Sequence, residues 1–172
     1  MQQFLIIIRG APASGKSTIS KQLRDFEKKI VWLKVDNFKD FFSDDVTLEE
    51  QRFVDESSLA TLEYLLDQGF SVVMEKIFYD PFVIHLAVKA AKKRNIQVAT
   101  FQIKCSLATL QKRDRNRPGI KEGCRKPMGD EKIKDIYNHL EQTSLKGAII
   151  LDTEKLKDLE CTKIIKHAIG YE

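Results

Sequence analysis

Gly10-Ala11-Pro12-Ala13-Ser14-Gly15-Lys16-Ser17-Thr18 is the first stretch of this chain whose residue types and spacing suit a particular chemistry. It fits the pattern G-x-x-x-x-G-K-[ST]. Glycines there let the backbone curl until successive N–H groups point inward at a phosphate, and a helix starting just after aims its positive end at the same point. In that pattern the lysine reaches the β- and γ-phosphates and the hydroxyl of Ser17 ligates Mg²⁺. The expectation is therefore ATP with Mg²⁺ on Gly10 to Thr18. Two other places bear on what is done with the phosphate. Asp36, in Val35-Asp36-Asn37-Phe38, is a carboxylate of the kind that orients and deprotonates an acceptor hydroxyl, although Asp-Asn pairs also cap turns. Arg113 and Arg117, in Leu110-Gln-Lys-Arg-Asp-Arg-Asn-Arg-Pro-Gly119, have the two-point donors that stabilise charge spreading over a transferring phosphoryl group.

These residues need a scaffold, and the hydrophobic pattern supplies one. Gln3 to Ile8 reads as a strand apolar on both faces, followed by the glycine turn and a helix over 16–29 with Ile19, Leu23 and Phe26 on one side. Ile30 to Val35 is a second strand. Thr47-Leu-Glu-Glu50 opens a long, interruptible helix with a capping box, ending at Gly69. Phe70 to Met74 is a third strand, Asp80-Pro81 starts a helix to about Lys93, and Gln97 to Ile103 is a fourth strand. Helices over 130–141 and 156–168 flank a last strand at Ala148 to Leu151. Strands alternating with helices imply a mostly parallel, five-stranded sheet covered on both faces, an α/β three-layer fold, with ligands beyond the carboxyl ends of the strands. Asp36, Glu75 and the phosphate loop all fall at such ends.

The loop, Asp36 and the arginine-rich segment together resemble the small P-loop kinases, closest to the branch holding polynucleotide kinase, chloramphenicol phosphotransferase and zeta-toxin-like kinases. The resemblance spans nearly the whole chain in element order. It implies a nucleotide-kinase-like P-loop fold, with an acceptor-binding region over 37–69 and a lid over 110–129. It implies that Asp36 is the base and that Arg113 and Arg117 sit on the inner face of a short lid helix. Related kinases carry Asp at the end of the third strand, where it helps hold Mg²⁺ through water. Here the residue is Glu75, followed by Lys76, and three roles are open to it: the metal, the acceptor, or an ion pair with Lys76. Among the phenylalanines near the acceptor, Phe41 and Phe53 read as core, while Phe38, two residues from Asp36, is open between core and acceptor contact. Asp152-Thr153 falls where such kinases shape the adenine pocket.

Composition sets the limits. The 172 residues suit one domain over 1–172, and 42% hydrophobic with 31% charged residues is ordinary globular composition. Three cysteines without a C-x-x-C pair argue against a disulfide scaffold or zinc site. The longest apolar run, Phe4 to Ile8, is too short for a membrane span or a signal-peptide core, so a soluble cytoplasmic protein is expected. Net charge is +4, yet the segment 112–126 holds seven bases and two acids, +5 by itself. A local basic excess suits the handling of a polyanion. The reading is an ATP- and Mg²⁺-dependent kinase acting on a hydroxyl or phosphate of a small molecule such as a nucleoside, nucleotide, antibiotic or sugar nucleotide. A polynucleotide 5′-hydroxyl kinase is the first alternative and a non-catalytic nucleotide switch the second. In every reading Lys16 and the loop amides hold phosphate.

Overall fold

A computed structural model describes residues 2–42, 47–118, 126–143 and 145–171. Lys121, Cys124 and Arg125 of the basic segment lie outside the described residues. Strands β1 (Phe4–Gly10), β2 (Ile30–Lys34), β3 (Ser71–Lys76), β4 (Gln97–Lys104) and β5 (Ile149–Asp152) form one sheet in the order β2-β3-β1-β4-β5, every pair parallel. Helices α1 (Lys16–Asp25), α2 (Leu48–Asp67), α3 (Phe82–Lys92), α4 (Leu107–Arg115), α5 (Asp130–Gln142) and α6 (Asp158–Ala168) supply the crossovers. This is the five-stranded α/β fold that the alternation of patterns implies.

β1 is central because its side chains are apolar on both faces. Leu5 and Ile7 enter one core with Val54, Leu62 and Leu66 of α2 and Ile84 and Ala87 of α3. Ile6 and Ile8 enter the opposite core with Ile19 and Leu23 of α1 and Cys161 and Ile165 of α6. A smaller cluster of Ala11, Leu110, Ile133 and Ile136 packs α4 and α5 beside the phosphate loop. The chain leaves β1 toward β2 and β3 on one side and later builds β4 and β5 on the other. The strand order therefore switches at β1, and the crevice lies beyond its carboxyl end.

Several boundaries differ from the sequence reading, each for a local reason. β1 runs to Gly10 and β3 to Lys76, so Glu75 and Lys76 are rungs of the ladder, opposite Ile8 and Arg9. α1 stops at Asp25 rather than continuing to Lys29, which has a left-handed φ of 68°. α2 is uninterrupted and has the expected capping box: the Glu50 amide donates to Thr47 Oγ1 at 3.2 Å and the Thr47 amide to Glu50 Oε2 at 2.7 Å. Beyond β2 the chain forms a 3₁₀ helix, Val35–Phe41, which no period in the sequence announces. It also corrects the reading of the aromatics. Residues i and i+3 of a 3₁₀ helix eclipse one another, so Phe38 and Phe41 stack edge to face at 5.9 Å. Phe41 is left outermost, 75% exposed, and Phe53 is 51% exposed, so neither is core. Phe38 and Phe42 pack against the core instead. Among the described residues no helix is long and apolar enough to cross a membrane.

Candidate active site

The phosphate loop is built by close approach. A Cβ on Gly10 would stand 2.9 Å from Ser14 Oγ and 3.0 Å from the Ile103 carbonyl, so only glycine fits against β4 here. Gly15 has φ 94° and precedes α1, whose first turn carries no acid to oppose its positive end. The Ser14 amide closes the turn on the Ala11 carbonyl at 3.3 Å. Ser14 Oγ is buried with no hydrogen-bond partner among the described residues. A buried hydroxyl inside a curl of amides at a helix N-terminus suits a phosphate oxygen.

Lys16, in the first turn of α1, is buried with its ammonium group 3.3 Å from the Ala11 carbonyl and 4.0 Å from Glu75 Oε1. Burial pushes its pKa below the ordinary lysine value. The charges of Glu75 and Asp36 oppose that shift, and those of Arg117 and Lys34 add to it. Four charged residues from three parts of the chain thus act on one ammonium.

Glu75 is 2% exposed and both its oxygens are taken. The Ser17 hydroxyl donates to Oε1 at 2.7 Å, and the Trp32 indole N–H donates to Oε2 at 2.9 Å. Of the three roles open to Glu75, the ion pair with Lys76 is set aside, because consecutive strand residues face opposite sides of the sheet. Lys76 pairs instead with Asp55 of α2. Asp36, in the 3₁₀ helix, lies 3.1 Å from Lys39. Its charge also reaches Tyr79, whose phenol is pushed above its ordinary value, mainly by burial and then by Asp36.

The two arginines expected on a lid have different partners. Arg113 donates from Nη1 to Thr153 Oγ1 at 3.0 Å and from Nη2 to the Thr153 carbonyl at 2.8 Å. Thr153 Oγ1 in turn donates to the Ser14 carbonyl at 3.0 Å, tying the end of β5 to the phosphate loop. Arg117 pairs with Asp114 at 3.2 Å. α4 ends at Arg115, so Arg117 is not on the helix face the four-residue spacing suggested; a residue before proline, here Pro118, is driven out of the helical region. Asp114, a residue the sequence reading passed over, is 1% exposed and also accepts the Met128 and Gly129 amides at 2.8 and 3.1 Å. It thereby joins the residues on both sides of 118–127. Its only sequence signal is an acid amid bases, which reads equally well as a solvated pair. Trp32 was also missed; a lone tryptophan on a strand carries no motif.

The sequence model of the zeta toxin family matches residues 2–158. This chain belongs to the zeta toxin family. Among solved structures, this family member resembles the Deinococcus radiodurans tunicamycin resistance protein (TM-score 0.71, 16% identity, covering 99% of this chain and 98% of that one). It also resembles a sugar kinase from Janibacter sp. (TM-score 0.72, 15% identity, 97% and 94% covered). A chain of an RNA repair complex matches over 83% of this family member and 46% of its own length, with a TM-score of 0.66 and 20% identity. At these identities the likeness is one of fold, and the fold is that of the P-loop kinases.

Proposed function

We propose that the protein is an ATP- and Mg²⁺-dependent phosphotransferase that moves the γ-phosphoryl group onto a hydroxyl or phosphate of a small molecule. The observation that carries this reading is the phosphate loop at the carboxyl end of β1, with buried Lys16 4.0 Å from Glu75 of β3 and the Ser17 hydroxyl donating to the same carboxylate at 2.7 Å. Lys16 and the loop amides bind the phosphates. The Ser17 hydroxyl and the Glu75 carboxylate are hard oxygen donors of the kind Mg²⁺ takes, and they would hold it. When bound, the ion neutralises charge on the phosphate oxygens. With a hydroxyl acceptor, Asp36 accepts the hydroxyl proton as the acceptor oxygen bonds to the γ-phosphorus and the bond to the bridging oxygen breaks, releasing ADP. Arg117 stabilises the oxygens in flight, and Arg113 holds the nucleotide side through Thr153.

A polynucleotide acceptor is disfavoured by charge. The region 37–69 carries nine acids and two bases, a net −7 beside the acceptor carboxylate, which repels a phosphate backbone. A pure nucleotide switch needs neither Asp36 nor Arg117 at the phosphate site. The test is ATP consumption by the purified protein across nucleosides, nucleotides, aminoglycoside-like and phenicol-like alcohols, sugar nucleotides and 5′-hydroxyl oligonucleotides. Acceptor-dependent ADP release with any small molecule supports the reading. Release only with the oligonucleotide transfers it to the polynucleotide alternative, and release with none of the panel counts against phosphotransfer.

A further inference from the structure

Glu75 is held from two directions, and one of them has no counterpart in the phosphate-loop motif. β2 and β3 run parallel with Lys34 opposite Glu75 and Trp32 opposite Val73. Side chains alternate along a strand, so Trp32, Lys34 and Glu75 share the α1 face of the sheet. Glu75 lies two residues along β3 from Val73, the partner of Trp32, on the same face, so a large side chain on β2 can reach it. The indole does so and donates its N–H to Oε2 at 2.9 Å, while the Ser17 hydroxyl holds Oε1 at 2.7 Å. The ring is itself fixed from its faces. The Arg24 guanidinium lies 5.9 Å and the Lys34 ammonium 5.6 Å from its centroid, both at cation–π distance.

We propose that Trp32 is a positioning residue for the metal side of the site, locking the Glu75 carboxylate against Ser17 so that Glu75 serves Mg²⁺ and not the acceptor. This rests on the reading of the site as one for a magnesium nucleotide. Glutamate has one more rotatable bond than aspartate, so a second anchor helps its carboxylate present a defined oxygen to a metal. The indole N–H is that anchor. It cannot act as an acceptor, so it fixes which face of the carboxylate stays turned toward Ser17 and Lys16. Groups that orient a metal-binding carboxylate in this way typically set metal affinity by about 10–100-fold.

The chain has one tryptophan, so ¹⁵N-labelled protein gives a single indole N–H resonance that reports on this contact directly. In protein saturated with a non-hydrolysable ATP analogue, adding Mg²⁺ should move that resonance, and Glu75→Gln should abolish the movement. Trp32→Phe keeps the ring and removes the donor. It should bind the analogue normally in EDTA yet need roughly 10–100-fold more Mg²⁺ to reach half of the metal-dependent thermal stabilisation of the complex. A purely structural tryptophan would lower the melting temperature without moving that Mg²⁺ midpoint. An unchanged midpoint in folded Trp32→Phe overturns the proposal, and so does an indole resonance indifferent to Mg²⁺ in the wild-type complex. The second measurement decides alone if the variant does not fold. Failure of the wild type to bind the analogue at all removes the magnesium-nucleotide reading and this inference with it. Analogue binding with a Mg²⁺-blind Trp32 removes only the inference.

Discussion

The hydroxyl of Ser17 donates to the Glu75 carboxylate across 2.7 Å, joining the first turn of α1 to the end of β3. The two residues are 58 positions apart and meet because β3 is hydrogen-bonded beside β1, from which the phosphate loop springs. The contact is made by the same two oxygens that are assigned to Mg²⁺. They act as one unit, and their removal should be non-additive.

Ser17→Ala and Glu75→Gln should each raise the Mg²⁺ concentration needed for half-maximal turnover, and the double variant should be little worse than the poorer single one. A double-mutant cycle on the Mg²⁺ midpoint checks this. Full additivity would separate the two residues and return Glu75 to the acceptor side.

Lys16 should give the free and nucleotide-bound protein opposite pH responses. Burial lowers its pKa below the ordinary value of 10.5, so between the lowered value and 10.5 the unfolded chain binds the proton that the folded chain has released. The unfolded state holding more protons means that stability rises with pH in that window. In the proposed reaction nucleotide binding needs the ammonium, so nucleotide-induced stabilisation should fall in the same window. Thermal melts of wild type and Lys16→Met, with and without nucleotide across alkaline pH, check both signs. Turnover of Lys16→Ala should drop by about 10²–10³, as for loss of one preorganised electrostatic donor.

What could be read from the chain was what is local in it. The loop Gly10 to Thr18 and the Thr47–Glu50 capping box are each complete within ten residues, and the apolar runs suffice for the strand order's central feature, a β1 buried on both faces. The contacts that build the site span far more chain. Trp32 reaches Glu75 over 43 positions and Arg113 reaches Thr153 over 40. Both depend on strand register and neighbour order, which periodicity does not carry. The misreading of Phe41 has a different origin. No period in the sequence announces the 3₁₀ turn of Val35–Phe41, in which Phe41 is left facing water.

Asp36→Asn should retain nucleotide binding and lose transfer, because the amide keeps a hydrogen-bonding oxygen but cannot take a proton at neutral pH. Equilibrium binding of a labelled nucleotide beside turnover with the identified acceptor separates the two effects. Transfer at the wild-type rate would remove Asp36 from the reaction.

Arg113 and Arg117 should fail in different ways, because the structure ties them to different partners. Arg113 donates twice to Thr153, and Thr153 donates to the Ser14 carbonyl of the phosphate loop. Arg113→Ala removes two charge-assisted hydrogen bonds, a loss of about 1.5–3 kcal/mol each at most. It should lower the melting temperature by several degrees and weaken nucleotide binding. Arg117 is held by Asp114, and the proposed reaction puts it with the groups around the γ-phosphate. Arg117→Ala should therefore lower kcat with nucleotide affinity nearly unchanged, the signature of an interaction made in the transition state. Arg117→Lys should remain impaired, because a lysine keeps the charge but not the planar two-point contact. Asp114→Asn gives an independent check. It keeps an oxygen for the Met128 and Gly129 amides while weakening the hold on Arg117, so it should reproduce part of the kcat loss with little change in stability. Steady-state kinetics and melts of these four variants decide the assignment: equal kcat effects at Arg113 and Arg117 would restore a shared role over the phosphoryl group, and silence at Arg117 would take the lid out of the mechanism.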